Sequence, residues 1–382
     1  MVASGPAEEP RSSPIDARPY RVLCLDGGGM RGIYTAAFLD RLVVHFARTR
    51  NEEHLDLGKG FDLISGTSTG AIVASALAVG RPMEDVVKLY REHGPQIFRH
   101  RIRGKFSALW RMLTGGCYVR GGDAALRKAL ADVLGEWTMK EVFDTRGISL
   151  SIPSVLMASH ASWVFKKTTT SGTRDDLYKL VDVCMASSAA PIFRSLAAVD
   201  DPNGDHGVKQ IFADGGLWAN NPVLVGLTDA LACAPKGAPI QIFSLGTCSR
   251  PEGELVCPAD VHRSMLGWKM GADAAALSIT AQEFAFDNMA RLIANQFTAL
   301  GRDIRIMRFP RRSVPAAMMQ FLALDDAREK AMRHLIQQAS IDADFTKSAC
   351  DDPNNAEGRI TKDLMLSLPA MKKPVTETED AE

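Results

Sequence analysis

The sequence predicts an α/β protein, with a mostly parallel central sheet flanked by helices in three layers and further helices added toward the C-terminus. Three observations predict it. Short apolar runs alternate with stretches of helical spacing along most of the chain, the pattern of strands joined by crossover helices. Two glycine turns each stand between a strand and a helix. The composition, 46% hydrophobic and 24% charged over 382 residues, is that of a globular protein with a substantial core.

Residues 1–19, rich in Pro, Ser, Ala and Glu, read as a disordered arm, and residues 371–382 as a polar tail of the same kind. The first strand is expected at Tyr20–Leu25, followed by the turn Asp26–Gly32. A helix is then expected over Ile33–Arg48, where Phe38, Leu42, Val43 and Phe46 recur at helical spacing. Phe61–Ser65 reads as a second strand, Gly66–Gly70 as a second turn, and Ala71–Val79 as a helix of small residues. Helical character continues over Met83–Glu92. Further strands are expected at Ile148–Met157, Trp163–Lys167, Gln210–Ala213 and Ile240–Leu245, and further helices at Leu126–Val133, Val223–Ala232, Asp273–Asn295 and Asp325–Gln338. The motifs fall within residues 20–250. Residues 251–370 are expected to form a mainly helical extension packed on that part, as a lid or regulatory element.

Bulk properties exclude several classes. Lys+Arg and Asp+Glu balance at 45 each, which argues against a nucleic-acid polymer as partner. Seven cysteines without a CxxC pair suggest neither a disulfide framework nor a zinc site, and fit a reducing, cytoplasmic compartment. No metal or cofactor is expected. The N-terminus lacks the basic-then-apolar order of a secretory signal, and no apolar run approaches the length of a spanning helix, so membrane contact would be peripheral.

The second turn, GTSTG, places Ser68 between Gly66 and Gly70, after a strand and before a helix. This is the arrangement of a nucleophile elbow, in which the helix N-terminus lies beneath the serine and favours developing negative charge. The motif alone arises by chance in roughly one chain in ten of this length, so its strand–helix context carries the weight. The first turn, DGGGMRG, also satisfies GxGxxG through Gly27, Gly29 and Gly32. One reading is a dinucleotide-binding, Rossmann-like oxidoreductase, with Glu52 or Glu53 near the place of a ribose-binding acid. The other is a row of backbone N–H groups aimed at an oxyanion. Arg31 crowding the turn, and a serine-bearing turn after the very next strand, favour the second.

A serine nucleophile needs a base. The eight histidines stand in helix or loop text without an acidic orienter at a suggestive spacing, and read as surface or packing residues. Asp214, at the end of a strand in IFADGGLWANNP and followed by Gly215 and Gly216, could reach the hydroxyl directly. Alone, it reads more simply as an ordinary Asp-Gly turn.

Taken together, DGGGMRG, GTSTG and DGG resemble, in this order, the patatin-like phospholipase family. MASSAAPIF at Met185–Phe193 and SLGT at Ser244–Thr247 agree, and the resemblance covers roughly residues 20–250. It implies a Ser68–Asp214 dyad without histidine or metal, on a sheet between helices, cleaving fatty acyl esters of membrane phospholipids. It implies an oxyanion hole in the turn Gly27, Gly28, Gly29, Met30, Arg31, Gly32, with the amides of Gly28, Gly29 and Met30 as donors. Arg31 would shape the turn or meet an anionic headgroup. More narrowly, the opening YRVLCLDGGGMRGIYTAAFLDRL is similar to bacterial phospholipase effectors of cyclic-oligonucleotide antiphage signalling (CapV-type, CBASS). That similarity implies dormancy until a cyclic dinucleotide such as cyclic GMP-AMP binds, then attack on the inner face of the cell membrane. A constitutive, non-specific acyl esterase is the alternative within the same chemistry, and a homodimer is left open.

Two basic stretches could meet an anionic lipid surface or a phosphate ligand. In Phe98–Arg111, Arg99, Arg101, Arg103 and Lys105 stand among aromatics; its bland reading is a solvated loop. Arg302–Arg312 carries Arg305 and Arg308, and could line an anion pocket or simply be a charged strand face. The helical text Met265–Phe297 could form an apolar lid, but reads more simply as a packed helix.

Overall fold

A computed structural model describes residues 18–98, 120–191, 193–204, 207–248 and 256–371, apart from 259, 260, 266, 269 and 270. In chain order the elements are β1 (Tyr20–Leu25), α1 (Gly32–Thr49), β2 (Leu63–Gly66), α2 (Thr69–Val79), α3 (Met83–Ile97), α4 (120–134), α5 (Met139–Arg146), β3 (Ser149–Leu156), β4 (Ala161–Lys167), α6 (Leu180–Ser187) and β5 (Ala197–Asp200). They continue with β6 (Lys209–Asp214), α7 (Gly216–Ala219), α8 (Val223–Cys233), β7 (Ile240–Leu245), α9 (Ala272–Ala299), β8 (Ile304–Phe309), α10 (Glu329–Asp351) and α11 (Ala356–Ser367).

The strands form one sheet in the order β5–β6–β3–β2–β1–β7–β8, with β4 also paired to β3. From β3 through β8 the ladders are parallel, whereas β4, β6 and β5 are attached antiparallel. The parallel strands bury both faces, which is why they read as continuous apolar runs. In β1, Leu23 and Leu25 join a core with Phe38 of α1 and Ile72 of α2, while Tyr20, Val22 and Cys24 join another with Val223 and Leu227 of α8.

β3 is the pivot that creates the site. Leu150 pairs with Ile64 of β2 and with Lys167 of β4, and Ser154 pairs with Asp214 of β6 and with Trp163 of β4. A strand has two edges, so β2 and β6 share the one that β4 leaves open. β2 runs along Ser149–Ser151 and β6 runs oppositely along Ser154–Leu156, so their C-terminal ends face each other across Ile152 and Pro153. Whatever follows those two strands is brought to one place. Pro153 suits the gap: its carbonyl faces that edge, where it accepts from Ser187, and the N–H it lacks would have had no ladder partner there.

The expected division at residue 250 has no counterpart in the sheet. β8 continues the sheet beyond β7 in parallel register, Met307 and Phe309 enter the main core, and α10 packs along α1. The strand in Arg302–Arg312 is Ile304–Phe309, whose two arginines, three positions apart, lie on opposite faces rather than on one charged face and break up its apolar residues in the sequence. The helix expected over Asp325–Gln338 begins later, at Glu329, because Asp326 instead accepts from the Arg328 N–H in a turn; it then runs on to Asp351. Among the described residues no helix is long and apolar enough to cross a membrane.

Candidate active site

Ser68 stands between β2 and α2 with φ 55° and ψ −118°, a left-handed backbone that a non-glycine residue adopts only when its surroundings impose it. Two backbone bonds impose it here: Gly70 N–H donates to Thr67 O at 2.7 Å and Ala71 N–H to Ser68 O at 3.0 Å. The Ser68 N–H donates to Ser187 Oγ at 3.0 Å, and that hydroxyl donates to Pro153 O at 2.6 Å. Ser187 thus bridges the gap in the sheet to the elbow. Thr67 Oγ1 donates to Ala219 O at 2.6 Å, tying the elbow to the short helix after Asp214.

Across the gap, Asp214 ends β6. Its N–H donates to Ala189 O at 3.0 Å and the Gly215 N–H to Ser187 O at 3.1 Å, so the segment after α6 holds both sides of the site. The carboxylate accepts from the Gly216 N–H on Oδ1 at 2.6 Å and from Ser68 Oγ on Oδ2 at 2.8 Å. Both side chains are buried, with residue exposures of 8% for Ser68 and 5% for Asp214. Burial pushes the Asp214 carboxyl up to about 6, against the opposing pull of the Gly216 N–H, the Ser68 hydroxyl and the buried Arg194 guanidinium. Arg194 is itself paired with Asp123 at 2.8 Å and donates to Ser188 Oγ at 2.8 Å. No histidine bonds to Ser68 or Asp214 among the described residues: His45 meets Asp344 and His334 the Lys330 carbonyl, while His206 lies outside them.

The first glycine turn lies directly against the serine. A Cβ built on Gly27 would stand 3.2 Å from Ser68 Cβ and 2.3 Å from Asn220 Oδ1. The expected donor set is corrected by what each amide already does. Met30 N–H donates to Leu324 O at 2.8 Å, Gly27 N–H to Asn220 O at 2.9 Å and Arg31 N–H to Gly28 O at 3.1 Å, while Gly32 N–H bonds within the helical turn. Among the described residues, only the Gly28 and Gly29 amides in this turn have no acceptor. Gly29 has φ +56°, and a Cβ there would meet Leu324 O at 2.4 Å, so the turn requires glycine at this position. Arg31 Nε donates to the Gly28 carbonyl at 3.4 Å, within the same turn.

The basic candidates part company. Arg99, Arg101, Arg103 and Lys105 lie outside the described residues. Arg305 is exposed and pairs with Asp303 at 3.1 Å. Arg308 is corrected as a ligand contact: it is paired with buried Asp26 inside the fold. Asn220 was missed as a site residue. Its carbonyl accepts from Gly27 N–H, its Nδ2 donates to Gly27 O at 3.3 Å and to Glu283 of α9, and so it clamps the first turn to the Asp214 turn. The run ANNP signalled a helix start; nothing local in it pointed to a residue 193 positions away.

A serine on a strand–helix elbow, opposed by a carboxylate and faced by unoccupied backbone amides, is the architecture of the serine hydrolases. The family model for patatin-like phospholipases matches residues 23–227, more than half of the chain, and the chain belongs to that family. A cGAMP-activated phospholipase of Pseudomonas aeruginosa is 34% identical over 276 residues, 71% of this chain and 74% of that one. One of Escherichia coli is 32% identical over 218 residues, so that the alignment spans 57% of that relative's length. A third, of Vibrio cholerae, is 26% identical over 344 residues, 86% of this chain and 92% of the relative.

Proposed function

We propose that this protein is a phospholipase of the A type that uses a Ser68–Asp214 dyad and is switched on by a cyclic dinucleotide. The carrying observation is the 2.8 Å bond from Ser68 Oγ to Asp214 Oδ2 beside the free Gly28 and Gly29 amides. Ser68 Oγ attacks the ester carbonyl as its proton passes to Asp214, and the oxyanion that forms accepts from the Gly28 and Gly29 N–H groups of the turn before α1. When the intermediate collapses, Asp214 returns the proton to the departing lysolipid alkoxide. Water then repeats the sequence on the acyl-enzyme and releases the fatty acid. The names of the relatives support the substrate class and the activator, and the protein would act as a cytoplasmic enzyme at the inner face of the membrane.

Purified protein mixed with vesicles of phosphatidylethanolamine and phosphatidylglycerol should release free fatty acid and lysolipid, read by mass spectrometry, once cyclic GMP-AMP is added. Equal release without nucleotide, combined with no nucleotide binding, would leave a constitutive esterase. NAD binding without any fatty acid release would return the glycine turn to a dinucleotide.

The pH dependence follows from the base. Asp214 must be ionised to accept the Ser68 proton, and its carboxyl titrates at about 6. On a soluble ester, kcat/KM should be level above that pH and fall about tenfold per pH unit below it. A profile level down to pH 4 would exclude Asp214 as the base.

A further inference from the structure

The glycine turn is held from behind by residues beyond the segment that the family model matches. Asp26 follows β1 at the start of the turn, with its side chain 1% exposed. Arg308 of β8 meets it with both prongs of its guanidinium: Nη1 donates to Oδ1 at 3.0 Å and Nη2 to Oδ2. Nη1 also donates to Ser244 Oγ of β7 at 2.6 Å. The backbone gives a second hold, since Asp26 N–H donates to Leu245 O at 3.0 Å. A bidentate pair fixes more than a distance. Its two parallel bonds set the plane of the carboxylate, and with it the direction in which the chain leaves Asp26. The Gly28 and Gly29 amides follow within three residues.

We infer that Arg308 is a positioning residue for the oxyanion turn, acting through Asp26 to keep the Gly28 and Gly29 N–H groups aimed at the carbonyl oxygen of the ester that Ser68 attacks. The inference rests on the hydrolase reading above. It differs from a merely structural ion pair in what it predicts. An oxyanion exists only in the transition state and the intermediate, so loosening its donors lowers kcat and leaves KM in place. Lysine restores the charge but cannot present two parallel donors, so Arg308→Lys separates charge from orientation.

The test measures kcat and KM of Arg308→Lys and Arg308→Met on p-nitrophenyl butyrate, with cyclic GMP-AMP present, together with amide hydrogen exchange of peptides covering residues 20–35 and 69–79. For Arg308→Lys, kcat should fall about tenfold to a hundredfold with KM within about twofold, less than the loss of a whole oxyanion donor or comparable to it. Arg308→Met should fall further. Exchange over residues 26–32 should rise while α2 stays protected. Unchanged kcat in both variants, or unchanged exchange over 26–32, would overturn the assignment. Should Arg308→Met fail to fold, Arg308→Lys decides by the same two readings. If the wild-type protein turns over no ester at all, the failure belongs to the hydrolase reading, and exchange alone decides whether Arg308 orders the turn.

Discussion

Ser68→Ala and Asp214→Asn are each expected to lower ester hydrolysis by about four orders of magnitude or more while leaving the fold intact, and the double variant should be no worse than either alone. The non-additivity follows from the geometry. The Ser68 hydroxyl donates to Asp214 Oδ2, so removing either partner leaves the other without its role in the same proton transfer. The two variants should nevertheless part in stability. The Asp214 carboxyl titrates at about 6 in the folded protein, raised by burial from an ordinary 3.8, so its ionisation opposes folding. Below pH 3.8 this cost is absent; it grows as pH rises through 6 and is fully present above, where it amounts to about 3 kcal/mol. Asparagine keeps the shape without the buried charge. Asp214→Asn should therefore melt higher than wild type at pH 8, with the difference shrinking toward pH 4, whereas Ser68→Ala, which removes a hydrogen bond that favours the carboxylate, should melt lower than wild type at pH 8 and approach it toward pH 4. Near-normal turnover by Asp214→Asn would remove Asp214 from the mechanism, and a lower melting temperature at pH 8 would refute the burial cost.

Substituting either elbow glycine should be the other severe change. A Cβ on Gly70 would lie 2.2 Å from Leu25 O and 2.8 Å from Asp26 O; one on Gly66 would lie 2.3 Å from Gly70 O and 2.9 Å from Ala71 N. These neighbours are backbone, belonging to the end of β1 and the first turn of α2, and no rotamer change relieves the overlap. The closeness serves the site, since it seats the N-terminus of α2 beneath Ser68 and against the glycine turn. Gly66→Ala and Gly70→Ala are each expected to cost about 3 kcal/mol or more, read by denaturant unfolding, and to leave no activity in the fraction that folds. Gly172→Ala is the control: nothing lies within 4 Å of its Cβ, and its stability should stay within about 0.5 kcal/mol of wild type. Normal activity in Gly70→Ala would mean that the elbow tolerates a spacing it does not have here.

The local parts of this protein were determined by sequence alone. Tyr20–Leu25 and Ile240–Leu245 are legible to the residue because each is a short apolar run closed by a glycine turn or opened by a proline. Ser68 and Asp214 stand out as candidates for the same reason: their signals, glycine spacing and a strand end, lie within a few neighbouring residues. Arg305 and Arg308 show the opposite case, where two charges within six residues hide a sheet strand in text that can also be read as a ligand patch.

Only the tertiary structure decided how these parts act on one another. Ser68 and Asp214 are 146 positions apart, and they meet because β2 and β6 share one edge of β3, a fact of register that neither segment encodes by itself. Met30 offers the same N–H as Gly28 in the sequence; in the fold it is already bonded to the Leu324 carbonyl. The weakened acidity of Asp214 comes from its burial in the folded chain, and the pair of Asp26 with Arg308 spans 282 positions. Hydrogen bonding and desolvation act over a few ångströms in space whatever the separation along the chain. A sequence therefore names the groups, and the packing of distant segments sets which of them remain free to react.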